Sequence, residues 1–217
     1  MPKLRTKINP INSTWVYFRS PTAKLMYFVN YKCASTLYQS WFAKIGWEMV
    51  NLSSADVDWK NYYVFSYIRN PLIKHRKGVV EFFAKQKLID LLESTIEVDN
   101  RWVSIISNIV DLDGHTRTIE SILGETTPLQ IDWIPIDTSF DHKKYTIDLL
   151  ETHGEHILDQ HKQQLYSVMR VNEATTTENK MFKKLMAVSV SDQIINYIDF
   201  DQCIYDIVIN QDLIEKN

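Results

Sequence analysis

The sequence predicts an α/β domain whose short central parallel sheet is flanked by helices and followed by a helical C-terminal third. Three observations carry that prediction. The run YYVFSYI, residues 62–68, is apolar and aromatic almost throughout, as a parallel strand buried on both faces must be. Segments with helical spacing follow directly on two strand-like runs, from residue 35 and from residue 71. In the last third of the chain the apolar residues recur mostly at helical spacing.

Taken in order, WVYF (15–18) and LMYFV (25–29) are rich in strand-forming residues, and the turn-forming RSPTAK separates them. Leu37, Trp41 and Ile45 recur at four-residue spacing with Phe42 beside them, the stripe of an amphipathic helix. Gly46 then stands where a C-cap glycine would. After 62–68, Arg69-Asn70-Pro71 stops the strand. Pro71 suits the first turn of a helix over roughly 71–87, with Ile73, Val80 and Phe83 inward. RWVSIISNIVDL (101–112) reads as a further helix and GHTRTIESILGETTP (114–128) as irregular. IDWIPI (131–136) is a third strand segment of the sheet, its Pro135 favouring an edge or a strand end. TIDLLETHGEHILDQHKQQL gives two short helices broken near Gly154. TTTENKMFKKLMAV sets Thr before a Glu-bearing first turn and lysines late, the polarity a helix dipole favours. SDQIINYIDFDQCIYDIVINQDL closes the chain at helical spacing. No linker divides these elements, so the expectation is a single domain over 1–217.

Bulk composition narrows the function classes. A net charge of −3 excludes a globally basic nucleic-acid binder, so any anion site must be local. Cys33 and Cys203 are too few and too far apart for a disulfide scaffold or a zinc motif, which suits a reducing compartment. The basic N-terminus lacks an apolar signal region and no run of about 18 apolar residues occurs, so the expectation is a soluble, cytoplasmic protein without a membrane partner. The five glycines form neither GxGxxG nor GxxxxGK, which excludes the dinucleotide fingerprint and the standard Walker loop.

Two segments carry chemistry. Lys32-Cys33-Ala34-Ser35-Thr36 lies between a strand and a helix. A helix N-terminus offers unpaired backbone N–H groups and partial positive charge, and small residues admit an anion to them. Ser35 and Thr36 add hydroxyls and Lys32 a full charge. The same residues also fit a serine-capped helix with a surface lysine. In YIRNPLIKHRKG, Arg69 falls at the end of a buried strand, where open α/β sheets bind ligands. Lys74, Arg76 and Lys77 follow, and so many neighbouring cations need an anion or solvent to screen them. A solvated basic helix face is the bland alternative. Together the two segments suit a ligand with two separated anionic groups.

Here the chain resembles a family. FVNYKCASTLYQSWF is similar to the 5′-phosphosulfate loop of sulfotransferases that use 3′-phosphoadenosine 5′-phosphosulfate (PAPS). VFSYIRNPLIKHRKG resembles their 3′-phosphate motif, an Arg-(Asp/Asn)-Pro at a strand end before a helix, and the spacing of roughly 35 residues fits the smaller members. RVNEATTTENKMFKKL (170–185) and YIDFDQCIYDIV resemble late segments of carbohydrate-type members. The resemblance implies a P-loop-kinase-like three-layer fold and a small soluble carbohydrate-type enzyme. It implies that Lys32, Cys33, Ala34, Ser35 and Thr36 hold the phosphosulfate, and that Arg69 and Lys77 hold the 3′-phosphate. Ala34 replaces a frequent glycine, and Lys77 stands where serine is usual. The implied reaction moves a sulfuryl group from PAPS to a hydroxyl of a small molecule or glycan, with Lys32 at the bridging oxygen, no metal and no nucleic-acid partner.

The acceptor hydroxyl needs a base. His115, in the polar DLDGHTRT, is the first choice, because many sulfotransferases have a catalytic histidine in this region. Glu81, on the helix after Arg69, is the alternative; it also suits an ion pair with Lys77 at i,i+4. His75 reads as a helix-face residue. The middle region, roughly 85–140, would build the acceptor pocket; Trp102 and Trp133 there suit sugar stacking or, more simply, a core. Two rival readings stand beside the transferase. A kinase with an atypical loop lacks a glycine cradle and a magnesium carboxylate, and a non-catalytic nucleotide-binding protein would keep the fold without the chemistry.

Overall fold

The computed structural model describes residues 5–8, 16–51, 61–99, 101–113, 115–119, 129–137, 140–168 and 174–214. The chain forms two compact units: Met1–Ile68, Ile122–Val171 and Asp206–Asn217 make unit 1, and Arg69–Ser121 and Asn172–Tyr205 make unit 2. The chain passes between them at four places, one of them inside a continuous helix. No single linker exists for a sequence reading to find.

Unit 1 holds a six-stranded sheet of β1 (Arg5–Ile8), β2 (Val16–Arg19), β3 (Leu25–Phe28), β4 (Glu48–Asn51), β5 (Tyr63–Ile68) and β6 (Leu129–Pro135). Their spatial order is β1-β6-β5-β3-β2-β4. The expected parallel strands sit at the centre, where β5 runs parallel to both β3 and β6. Antiparallel strands flank them, so the sheet as a whole is mixed. β2 pairs with β3 and β4, and β1 pairs with β6. β1 and β4 were not expected from the sequence. Pro135 ends β6, which is an interior strand of the sheet. β3 and residues 64–68 of β5 are buried, as their apolar runs require.

Helix α1 (Ser35–Lys44) follows β3 and buries Tyr38, Trp41 and Phe42, each worth roughly 1.5–3 kcal/mol. Leu37 and Ile45 are only partly buried, so the inward stripe is centred on Tyr38. Gly46 ends the helix as its sequence position suggests, at φ +87°. Its N–H donates to the Ala43 carbonyl and that of Trp47 to Phe42. This two-bond ending carries its usual apolar contact, with the Phe42 and Trp47 rings stacked at 4.3 Å. Tyr27 on β3 lies 5.0–6.2 Å from the rings of Tyr38, Phe42, Phe65 and Tyr67, joining sheet and helix in one aromatic core. Two helices follow β6, α5 (His142–Thr152) and α6 (Asp159–Ser167), broken at Gly154 as expected. Between them, buried Glu155 accepts from Ser20 and Thr22 and so pins the turn after β2.

Unit 2 is helical. It contains α2 (Pro71–Lys85), α3 (Ile89–Val98), α4 (Arg101–Ser107), α7 (Thr176–Met186) and the first part of α8 (Asp192–Ile214). α2 starts at Pro71 with Asn70 capping the Ile73 N–H, and α4 is shorter than its sequence pattern suggested. α3 was not expected. α7 opens with a reciprocal capping box between Thr175 and Glu178 and carries Lys183 and Lys184 late, as its sequence foretold. Val79, Val80, Leu92, Ile96, Val103, Ile106, Met181 and Leu185 form the unit's core. Lys180 of α7 clamps Glu93 and Glu97 of α3 at 2.5 and 2.7 Å. Among the described residues, no helix is long and apolar enough to cross a membrane.

Candidate functional site

The loop after β3 is built by its backbone. Lys32 and Ala34 both have left-handed φ, at 65° and 56°. That conformation is uncommon for residues with a Cβ. It turns the chain directly from strand to helix: the Cys33 N–H closes the turn on the Asn30 carbonyl, and the Tyr38 N–H starts the helical ladder on Ala34. Ala34 is the N-cap residue and makes no side-chain cap bond. Backbone of alternating hand before a helix start is the kind of concavity that binds anions. Lys32 is half-buried, Ser35 buried and Thr36 exposed. Cys33 is fully buried in the unit's core, so its thiol serves packing. The simple serine cap does not occur, because Ser35 is the first helical residue and Ala34 holds the cap position.

The loop is tied to the neighbouring strand. Asn30 Nδ2 donates to the Tyr67 carbonyl at 2.9 Å, and Ser66 Oγ donates to the Phe28 carbonyl at 2.7 Å. β3 and β5 are adjacent and parallel, so the chain leaves both strands at the same end of the sheet. Below the loop, Tyr38 stacks on Tyr67 at 3.7 Å between ring centres. The Tyr38 hydroxyl meets His142 Nδ1 at 2.6 Å, and Tyr67 meets Thr146 Oγ1 at 2.8 Å. Burial raises both phenols above the ordinary tyrosine value, so they stay protonated. This support under the loop was not legible in the sequence, where Tyr38 and His142 lie 104 positions apart.

The cations of α2 do not form a solvated face. Lys74, His75 and Arg76 are all buried. Lys74 Nζ lies 3.5 Å from buried Asp201, whose other oxygen accepts from the Ile119 N–H at 2.6 Å. His75, read from the sequence as a helix-face residue, is buried with Nε2 at 2.8 Å from the Ile109 carbonyl. Arg76 Nη2 donates to the Val188 carbonyl at 3.3 Å. Lys77 sits over the Phe182 ring at 5.4 Å. Lys74 thus meets a carboxylate, Arg76 a carbonyl and Lys77 a ring. Arg69, by contrast, is half-buried at the strand end.

The two residues weighed as bases come together in unit 2. His115 Nε2 lies 3.2 Å from Glu81 Oε1. His115 Nδ1 lies 2.8 Å from Asp113 Oδ2, and the other Asp113 oxygen accepts the His115 backbone N–H. Lys85 Nζ reaches both Glu81, at 2.9 Å, and His115 Nε2, at 2.8 Å. Gly78 makes this approach possible: a Cβ there would sit 2.5 Å from the His115 carbonyl oxygen. Tyr197 of α8 steadies the same turn through the Thr116 carbonyl at 3.3 Å. Asp113 and Lys85 were missed in the sequence, though both left a signal. Asp113 precedes His115 by two positions, and Lys85 follows Glu81 by four.

Of the tryptophans of the middle region, Trp133 is buried in β6, whereas Trp102 on α4 is 44% exposed. Among the described residues, no group of three or more His, Cys, Asp or Glu is arranged to hold a metal ion. Compared with protein-family models, with curated proteins and with solved structures, the chain matches none of them.

Proposed function

We propose that the chain is a sulfotransferase that moves a sulfuryl group from PAPS to the hydroxyl of a small molecule or glycan. One observation carries the reading. A left-handed loop bearing a lysine and small residues enters a helix N-terminus at the end of β3, and the adjacent parallel strand β5 ends at Ile68, the residue before Arg69 in the chain. This supports the reading, because the family resemblance expects an anion-holding segment after each of these two strands. The P-loop-kinase-like three-layer fold, the carbohydrate acceptor and a cytoplasmic setting belong to the same proposal.

When bound, PAPS supplies the sulfuryl group and a phosphate leaving group. The backbone N–H groups from Ala34 onward, with Ser35 and Thr36, hold the phosphosulfate. Lys32 balances the charge that grows on the bridging oxygen as it leaves. Arg69 holds the 3′-phosphate, and Lys77 assists it. A base takes the acceptor proton, with His115 first and Glu81 as its alternative.

Calorimetric titration with 3′-phosphoadenosine 5′-phosphate, the desulfated product, tests the reading. Binding is expected, and Lys32→Ala and Arg69→Ala are each expected to weaken it about tenfold or more, the scale of one charge-assisted contact. A folded protein that does not bind the bisphosphate overturns the proposal.

A further inference from the structure

We propose that Glu81, Lys85, Asp113 and His115 form a two-state proton acceptor, in which Asp113 orients the histidine and Glu81 receives the proton-bearing nitrogen. The inference rests on the sulfuryl-transfer reading for its reaction, but its geometry lies within unit 2 alone.

In the first state His115 is neutral. Its Nδ1–H donates to Asp113 at 2.8 Å, which leaves the Nε2 lone pair as an acceptor. Lys85 donates to that lone pair at 2.8 Å while its charge rests against Glu81 at 2.9 Å. In the second state His115 is an imidazolium. Nδ1–H stays on Asp113, Lys85 withdraws from Nε2 to Glu81 because two N–H donors cannot face each other, and Nε2–H donates to Glu81 Oε1, 3.2 Å away. The same four side chains thus hold either protonation state without rebuilding the turn. A lone surface histidine has no such arrangement. His115 is 17% exposed and both carboxylates are 28% exposed, so the pair is shielded but can be reached.

Among the described residues, α2 and the turn supply charged groups around the imidazole, and α8 brings the Tyr197 hydroxyl to the Thr116 carbonyl of that turn. α2 contributes Glu81 and Lys85. The turn itself contributes Asp113, with the Asp111–Arg117 pair at 3.4 Å beside it. In the reaction the acceptor hydroxyl takes the place of Lys85 at Nε2, and Lys85 stays on Glu81. The acceptor O–S bond forms as the bond from sulfur to the bridging phosphate oxygen breaks. The hydroxyl proton ends on Nε2, and the electron pair leaves with the bisphosphate. Glu81 and His115 are then two parts of one base, and Asp113 is its positioning residue.

The test is a histidine NMR titration of the full chain and of Glu81→Gln, Asp113→Asn and Lys85→Met, beside the pH profile of sulfuryl transfer. The His115 titration is expected to fall by about half a unit or more in Glu81→Gln and Asp113→Asn, and to rise in Lys85→Met, with the acid limb of kcat/KM moving by the same amounts. Asp113→Glu should restore part of the loss. If Asp113→Asn loosens the turn, Glu81→Gln reports the same coupling from α2. A His115 titration unmoved by Glu81→Gln and Lys85→Met overturns the proposal. Titrations that move as expected in a protein that does not bind the desulfated donor overturn the transfer reading and keep the proton acceptor.

Discussion

Replacing Arg76 by Met should stabilise the protein by about 2 kcal/mol. Arg76 is completely buried on α2. Its guanidinium donates from Nη2 to one neutral carbonyl at 3.3 Å, while Nε and Nη1 are buried without a hydrogen-bond partner among the described residues. Burial holds its pKa below the ordinary arginine value, yet an arginine remains charged at any working pH. Each buried unpaired donor costs roughly 1–3 kcal/mol, and one hydrogen bond from a charged group returns roughly 1.5–3 kcal/mol. Two such donors against one bond leave a balance between about −1 and about 4.5 kcal/mol, centred on a deficit of about 2 kcal/mol. Exchanges of buried charges for apolar side chains of similar volume gain about 1–4 kcal/mol, and Met fills most of the same space. Urea unfolding followed by circular dichroism and tryptophan fluorescence should show a higher midpoint with an unchanged slope. Arg76→Ala should gain less, because it leaves a cavity. A Met variant less stable than the parent by about 1 kcal/mol or more would refute the reasoning, since it would mean that the buried charge is compensated.

Three further outcomes follow from particular backbone and burial features. Ala34→Gly removes a left-handed strain of roughly 1–2 kcal/mol against an added chain entropy of roughly 0.5–1 kcal/mol, so thermal unfolding should rise slightly, whereas Ala34→Val should lower it. Burial holds the His75 imidazole below its ordinary value of 6.5, against the pull of its Ile109 bond and with help from Arg76 and Lys74. The unfolded chain then binds this proton first, so the stabilisation is complete above about pH 6.5 and is lost as pH falls toward the folded value. Denaturation midpoints should drop on acidification below that pH, and His75→Gln should flatten the drop; an equal slope in both proteins counts against it. Gly78→Ala would push a methyl against the His115 carbonyl, and a melting curve should report a loss of roughly 1–3 kcal/mol.

The legible part of this molecule is local. The hydrophobic runs of β3 and β5 name themselves, because a strand buried in a sheet must be apolar over several consecutive residues. The start of α2 at Pro71, the end of α1 at Gly46 and the capping box of α7 were legible for the same reason: each answers a backbone requirement within a few positions. β1 and β4 were not, since each has four residues and is held by ladder bonds to a neighbour distant in the chain. The candidate site divides along the same line. The Lys32–Thr36 loop could be read from its lysine and small residues, although only the structure shows that Ala34 takes the cap position in a left-handed conformation.

The sequence by itself determined the α/β class and the order of the central strands' segments, because these depend on spacing between near neighbours. The tertiary structure decided where the charges went. Lys74, His75 and Arg76 look like a solvated face in one dimension, but consecutive helical positions point about 100° apart, and packing covers all three. Glu81 and His115 were alternatives in the sequence and are neighbours in space, because the glycine at 78 lets a distant turn rest on α2. Burial and pairing of charge depend on which faces meet, and that is settled by contacts between residues far apart in the chain.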